Sequence, residues 1–353
     1  MTSAGVAVTT ETVAVMGEFS LIGRLLAAAV GSAAPGVVVG AGDDAAVVTV
    51  PRTQQLVVTT DTLVEGVHFT ADADPVLLGR KALAVNLSDL AAMAAQPRWY
   101  LLSLSLPGET PVSWVDGLLS GLQQAARRPA GEVILIGGNT TSTAPGTISI
   151  TITLLGLVGK DRAVTRGGAQ VGDQLLVTGT IGDAALGLAI QQGKLTDMAP
   201  EDRSALLRRH QVPEPPVELA IALQESAFSR SAVDVSDGLI ADLGHLCRAS
   251  RVGAQVAAER VPLSVPVRQQ VARHGLSLLA RLLGGGEDYE LLFTAAPTAV
   301  PGIMVLAEAT GTQVTAIGVI TAGSEVVVTH DGQPLAVTAA GWDHFGLIGP
   351  EPA

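Results

Sequence analysis

Five stretches of this chain share one design, an apolar strand or helix that carries Asp or Asn at a turn marked by Gly or Ser. They are residues 37–44 (VVVGAGDD), 56–61 (LVVTTD), 84–89 (AVNLSD), 134–141 (ILIGGNTT) and 233–238 (VDVSDG). Short apolar runs between turn residues are buried strands or buried helix segments. Buried strands need helices to cover them, and the stretches between these segments supply helical spacing. Helices are predicted near 18–30, 75–95, 114–128, 182–192, 201–210 and 239–249, with a further one ending near 228. Strands are predicted at 37–39, 45–50, 56–60, 101–106, 133–136, 147–158, 174–178, 232–235, 290–294, 315–320 and 325–329. Strands and helices alternate in both halves, which gives two α/β or α+β domains.

A charged and Gly-rich stretch at 159–172 separates the halves. The expected organisation is a flexible Thr-rich leader at 1–16, an N-terminal α/β domain at 17–160 and a C-terminal α/β domain at 161–353. Met16 is an alternative start to Met1.

Bulk properties narrow the function. Hydrophobic residues make up 48% of the chain and charged ones 15%, which excludes a disordered protein. A mean hydropathy of +0.42 raises the question of a membrane protein, but the apolar stretch at 147–159 falls short of the ~20 residues of a spanning helix. The first basic residue is Arg24, so no signal-peptide n-region precedes an apolar core, and a cytoplasmic protein is expected. The single cysteine, Cys247, excludes an intramolecular disulfide and a cysteine-based zinc site. A net charge of −12 speaks against nucleic-acid binding, and an acidic protein that handles phosphates needs cations to do so.

Each of the five segments alone is an ordinary turn or helix cap. Together they bring carboxylates with Thr hydroxyls and few histidines, a donor set suited to magnesium or manganese. Thr59 and Thr60 offer neutral oxygens beside Asp61, and Asp234 and Asp237 stand three apart at a strand-to-helix turn. The helix N-terminus that follows favours a phosphate. Several magnesium ions beside phosphate oxygens are the means of phosphoryl transfer. No P-loop is present, since residues 187–195 have the wrong spacing and end in Leu, and no G-x-G-x-x-G, H-R-D, D-F-G or G-x-S-x-G occurs.

Further motifs complete a series: 17–19 (GEF), 42–45 (GDDA), 59–69 (TTDTLVEGVHF), 79–92 (GRKALAVNLSDLAA), 137–141 (GGNTT), 166–168 (RGG), 171–179, 234–243 (DVSDGLIADL), 285–291 (GGEDYEL) and 341–345 (GWDHF). In that order, over nearly the whole chain, they resemble the thiamine-monophosphate kinase family of the aminoimidazole ribonucleotide synthetase superfamily. The resemblance implies an N-terminal domain whose mixed sheet pairs across a homodimer and a C-terminal α/β sandwich. It implies ATP and thiamine monophosphate as partners, with several Mg2+ ions as cofactor. Carried over by position, the metal residues are Asp44, Thr59, Thr60, Asp61, Asp89, Asn139, Asp234 and Asp237; the ATP contacts are Gly138, Asn139, Arg166 and Ser236; and the substrate contacts are His68, Glu287 and Trp342. No general base is assigned. Asn139 departs from the family, which has Asp there, and no Tyr stands between Tyr100 and Tyr289 to supply the family's nucleotide contact. The alternatives are another ATP-using enzyme of the superfamily and a non-catalytic binder of thiamine phosphates or nucleotide.

Overall fold

The computed structural model describes residues 11–28, 35–129 and 131–337. The described residues fall into two compact units, those within 1–87 with 97–159, and those within 88–96 with 160–353.

The first unit is built from α1 (Val13–Met16), α2 (Glu18–Ala28), β1 (Val37–Val39), β2 (Val47–Val48), β3 (Gln54–Val64), most of α3 (Pro75–Ala92), β4 (Gln96–Pro107), α4 (Val112–Ala126), β5 (Ile134–Thr143) and β6 (Ser149–Gly159). Its main sheet has the order β3-β6-β4-β5, with β3 antiparallel to β6 and β4 parallel to β5. β6 alternates as the period-2 rule demands, with Ile150, Ile152 and Leu154 fully buried. β4 buries Leu102, Leu104 and Leu106 on one face and carries Ser103 and Ser105 on the other. Residues 13–16, within the stretch expected as a flexible leader, form α1, whose Val13 and Ala14 amides donate to the carbonyls of Thr110 and Gly108.

α3 and α4 cross at backbone contact. A Cβ on Gly79 would stand 2.2 Å from the Leu118 carbonyl oxygen, and one on Gly121 would stand 2.0 Å from that of Val76. α4 buries Val115, Leu118, Leu119 and Leu122, the one-face spacing of an amphipathic helix.

The second unit holds β7 (Gln174–Thr178), α5 (Asp183–Gln191), α6 (Pro200–Gln211), α7 (Val217–Glu225), β8 (Ser231–Asp234), α8 (Leu239–Ser250), β9 (Gly253–Ala257), α9 (Val265–His274), α10 (Leu276–Leu283), β10 (Leu291–Ala295), α11 (Val300–Ala309), β11 (Val314–Thr321), β12 (Val326–His330) and β13 (Gln333–Pro334). The sheet order is β13-β12-β9-β11-β7-β10-β8, antiparallel except for β12 with β9. Leu175, Val177, Val233, Leu243, Leu246, Val256 and Ile317 form its core. A satellite cluster of Leu186, Ile190, Leu206, Val267, Leu278 and Leu282 joins α5, α6, α9 and α10.

The mixed α/β class is as expected, while several local readings change. Residues 137–141 are not a turn but the middle of β5, and residues 59–61 lie inside β3. Asn86, Ser88 and Asp89 lie within α3, the helix predicted at 75–95, and not at a turn. β9, α9, α10 and α11 were not predicted. No described helix is long and apolar enough to cross a membrane.

Candidate functional site

In the first unit the candidate residues lie on β3, β5 and the loop after β1. Side chains alternate along β3, so Thr59 and Asp61 share the face of buried Leu63 and stand opposite buried Leu154 and Ile152. Thr60 points to the other face, where its hydroxyl meets that of Thr153 at 3.1 Å and donates to the Ile152 carbonyl at 3.1 Å. The strand therefore separates Thr60 from Thr59 and Asp61; only its main-chain oxygen could serve the same ion.

Asn139 is exposed on β5, paired with Ser103 of β4. Gly138 must be Gly, because a Cβ there would lie 1.9 Å from the Leu102 carbonyl oxygen. Asp44 is exposed, and its amide donates to the Asp43 carboxylate at 2.8 Å. His68 closes a turn after β3, its Nδ1 accepting from the Val64 amide at 3.1 Å.

The second unit contains the other candidates. Asp234, 5% exposed at the end of β8, accepts the Ser88 hydroxyl at 2.9 Å. Its carboxyl is pushed up to about 7, first by burial and then by the neighbouring Asp89 carboxylate, against the pull of Ser88 and Arg166. Two acids crowded in this way, with the exposed Arg166 opposing the Asp234 charge, fit a hard cation. No three His, Cys, Asp or Glu side chains gather to hold a metal among the described residues, so water and phosphate oxygens would complete such an ion's shell.

Asp237 and Ser236 sit in the loop between β8 and α8. That loop is shaped by Asp242, whose carboxylate accepts the amides of Ser236, Asp237 and Gly238 at 3.1, 3.0 and 3.1 Å. The amides that lead into α8 are thus engaged by the protein's own carboxylate rather than left for a phosphate. Against this loop lies residues 284–288. The Glu287 amide donates to the Ser236 carbonyl at 2.8 Å, and a Cβ on Gly286 would stand 2.4 Å from that same oxygen. Glu287 adopts φ +70°, the left-handed region. The Arg166 loop is tied to α8 by Ser250, whose hydroxyl donates to the Arg166 carbonyl at 2.9 Å and accepts the Gly168 and Ala169 amides.

Asp242, Ser250 and Ser88 were missed as site-shaping residues, although Asp242 and Ser88 fall within motifs quoted above. Trp342 and the 341–345 motif lie outside the described residues.

Asp288 caps α5, accepting the amides of Gly182 at 2.8 Å and Ala184 at 3.2 Å. Burial raises its carboxyl to about 8; these amides pull it down, and Asp183 and Glu290 push it further up. The folded value lies above the unfolded one, about 3.9. The associated stability is therefore complete below the unfolded value and is lost as pH rises through about 8. The melting temperature is expected to fall between pH 6 and pH 9, and Asp288→Asn is expected to flatten that slope. Parallel slopes in thermal melts of the two proteins would refute the assignment.

Residues 42–158 match the AIR synthase related protein, N-terminal domain, and residues 170–331 its C-terminal domain. The chain thus has the two-domain architecture of the AIR synthase-related proteins. It is 42% identical over 330 residues to the thiamine-monophosphate kinase of Escherichia coli (strain K12), covering 93% of this chain and 98% of that one. The crystal structure of thiamine-monophosphate kinase from Stenotrophomonas maltophilia K279a is 41% identical with a TM-score of 0.79, over 91% of this chain and 98% of that one. The structure of AaThiL complexed with AMPPCP and TMP is 30% identical with a TM-score of 0.69, over 91% and 96%. The chain belongs to the thiamine-monophosphate kinase family. At 18% identity, Escherichia coli HypE shares the fold alone, with a TM-score of 0.73.

Proposed function

We propose that this chain transfers the γ-phosphoryl group of ATP to thiamine monophosphate, giving thiamine diphosphate and ADP. The observation that carries the reading is 42% identity over 98% of a thiamine-monophosphate kinase. The AaThiL complex adds support, because AMPPCP stands in for ATP with a methylene in place of the β–γ bridging oxygen, beside TMP.

A phosphate oxygen of thiamine monophosphate attacks the γ-phosphorus in line, and the bond to the bridging oxygen breaks with its electron pair leaving on ADP. The attacking oxygen is already anionic near neutral pH, so no general base is required. What the chain must provide is alignment and charge compensation. Arg166, tied at its carbonyl by Ser250, carries the cation for a phosphate. Ser236, whose amide is held by Asp242, would contact the nucleotide, and Glu287 and His68 would contact the substrate. Trp342 would stack on an aromatic ring of the substrate.

Magnesium, when bound, would be held by Asp44, Thr59, Thr60, Asp61, Asp89, Asn139, Asp234 and Asp237, with Thr60 acting through its main-chain oxygen, and would supply charge neutralisation of the phosphates. The family resemblance supports a homodimer paired through the first unit's sheet, and a cytoplasmic enzyme.

The test is incubation with ATP, Mg2+ and thiamine monophosphate, read as formation of thiamine diphosphate and ADP. Binding of both ligands without product would overturn the reading in favour of a binder. In the same assay Asn139→Asp is expected to raise turnover at limiting magnesium and lower the magnesium concentration for half-maximal rate, since it restores a charge at an exposed ligand position. An unchanged magnesium curve would remove Asn139 from the metal set.

A further inference from the structure

Beneath residues 287–290 lies a polar cluster to which the reaction above gives no task. Two consecutive residues at the end of α6 reach the two glutamates of this segment. Arg209 pairs with Glu290 at 2.5 Å, and Glu290 also accepts the Thr178 hydroxyl at 2.6 Å. His210 places Nδ1 2.9 Å from Oε2 of Glu287, at ion-pair distance though without the alignment of a hydrogen bond. The ring is 2% exposed, and Nδ1 has no hydrogen-bond partner. A buried polar nitrogen left so is costly, and the Glu287 carboxylate offers an acceptor 2.9 Å from it.

The histidine cannot easily turn aside. α5 packs on α6 at this point, where a Cβ on Gly187 would stand 2.7 Å from His210 Cβ and 2.3 Å from the Leu206 carbonyl oxygen. Arg209, salt-bridged to Glu290 and 3.8 Å from Asp183, fixes the same helical turn. The Glu287 backbone is pinned by the bond to Ser236, and its side chain, a quarter exposed, carries three torsions. A cationic side chain is favoured at a helix C-terminus, where Arg209 stands.

We propose that His210 is a positioning residue: it holds the Glu287 carboxylate in the direction in which that carboxylate meets the positively charged part of the thiamine phosphate. This rests on the reading of Glu287 as a substrate contact. His210 itself touches neither substrate nor nucleotide; it removes the ordering cost that Glu287 would otherwise bear on binding.

Steady-state kinetics of the full chain with ATP, Mg2+ and thiamine monophosphate test this in four proteins: His210→Ala, His210→Asn, Glu287→Gln and the Ala/Gln double variant. His210→Ala is expected to raise KM for thiamine monophosphate by about tenfold, with kcat and KM for ATP within about twofold of wild type. Asn, whose amide nitrogen can take the Nδ1 position, is expected to restore KM. In the Glu287→Gln background, His210→Ala is expected to add nothing, because its effect passes through that carboxylate. If Ala does not fold, as judged by thermal melts, His210→Gln takes its place with the same expectation, since its amide reaches past the Nδ1 position. An unchanged KM in His210→Ala, failure of Asn to rescue, or a full additive effect in the double variant would overturn the positioning role. An unchanged KM in Glu287→Gln would instead remove Glu287 from the substrate contacts.

Discussion

Asp234→Asn is expected to lower turnover by about a hundredfold or more while leaving the melting temperature in magnesium-free buffer at or above that of wild type. Asp234 is buried beside Asp89, with Ser88 and Arg166 as its opposing groups. Removing its charge relieves repulsion with Asp89 and keeps the shape, so the fold loses little. The Ser88 hydroxyl retains an acceptor in the Asn carbonyl. Loss of a charged oxygen ligand, by contrast, weakens the hold on a cation and on the phosphates it would compensate. Activity bought at the expense of native stability is usual where charges are held apart from their counter-ions. Turnover above half of wild type at saturating magnesium would exclude Asp234 from the site, and a clear fall in melting temperature would show its role to be structural.

Gly121→Val is expected to destabilise the protein by about 3 kcal/mol or more, enough to deplete soluble protein in expression. The new Cβ alone would sit 2.0 Å from the Val76 carbonyl oxygen and 3.0 Å from the Arg80 amide nitrogen. Both are backbone atoms of α3, so no rotamer change can make room. The helices would have to separate, opening the contacts of Leu118 and Leu122 that the crossing buries. Chemical denaturation measures the loss; a variant within 1 kcal/mol of wild type would mean the crossing can relax.

Much of this was legible in the sequence, for identifiable reasons. β6 and β4 announce themselves by strict alternation, and α4 by its one-face spacing. α9 and α10 were not, because residues 265–283 form two short helices separated by Gly275 and buried only in part. The acids of the site were visible by type, yet their placement was not. Residues 59–61 and 137–141 extend strands instead of ending them, because strand partners satisfy the backbone through both segments. That continuation is what turns Thr60 away from Asp61. The roles of Asp242 and His210 depend on partners five and seventy-seven residues away, a separation that no local pattern encodes.

The division of the chain into units has a consequence for anyone who would take the molecule apart. Residues 88–96 belong with 160–353, so no single cut separates the two units. A fragment beginning at Lys160 lacks Ser88 and Asp89, and its Asp234 loses both the hydroxyl that steadies it and the carboxylate that crowds it. Modular recombination with a relative would have to exchange the last turn of α3 together with the C-terminal half, so that piece of helix travels in inheritance with a domain it precedes by some seventy residues.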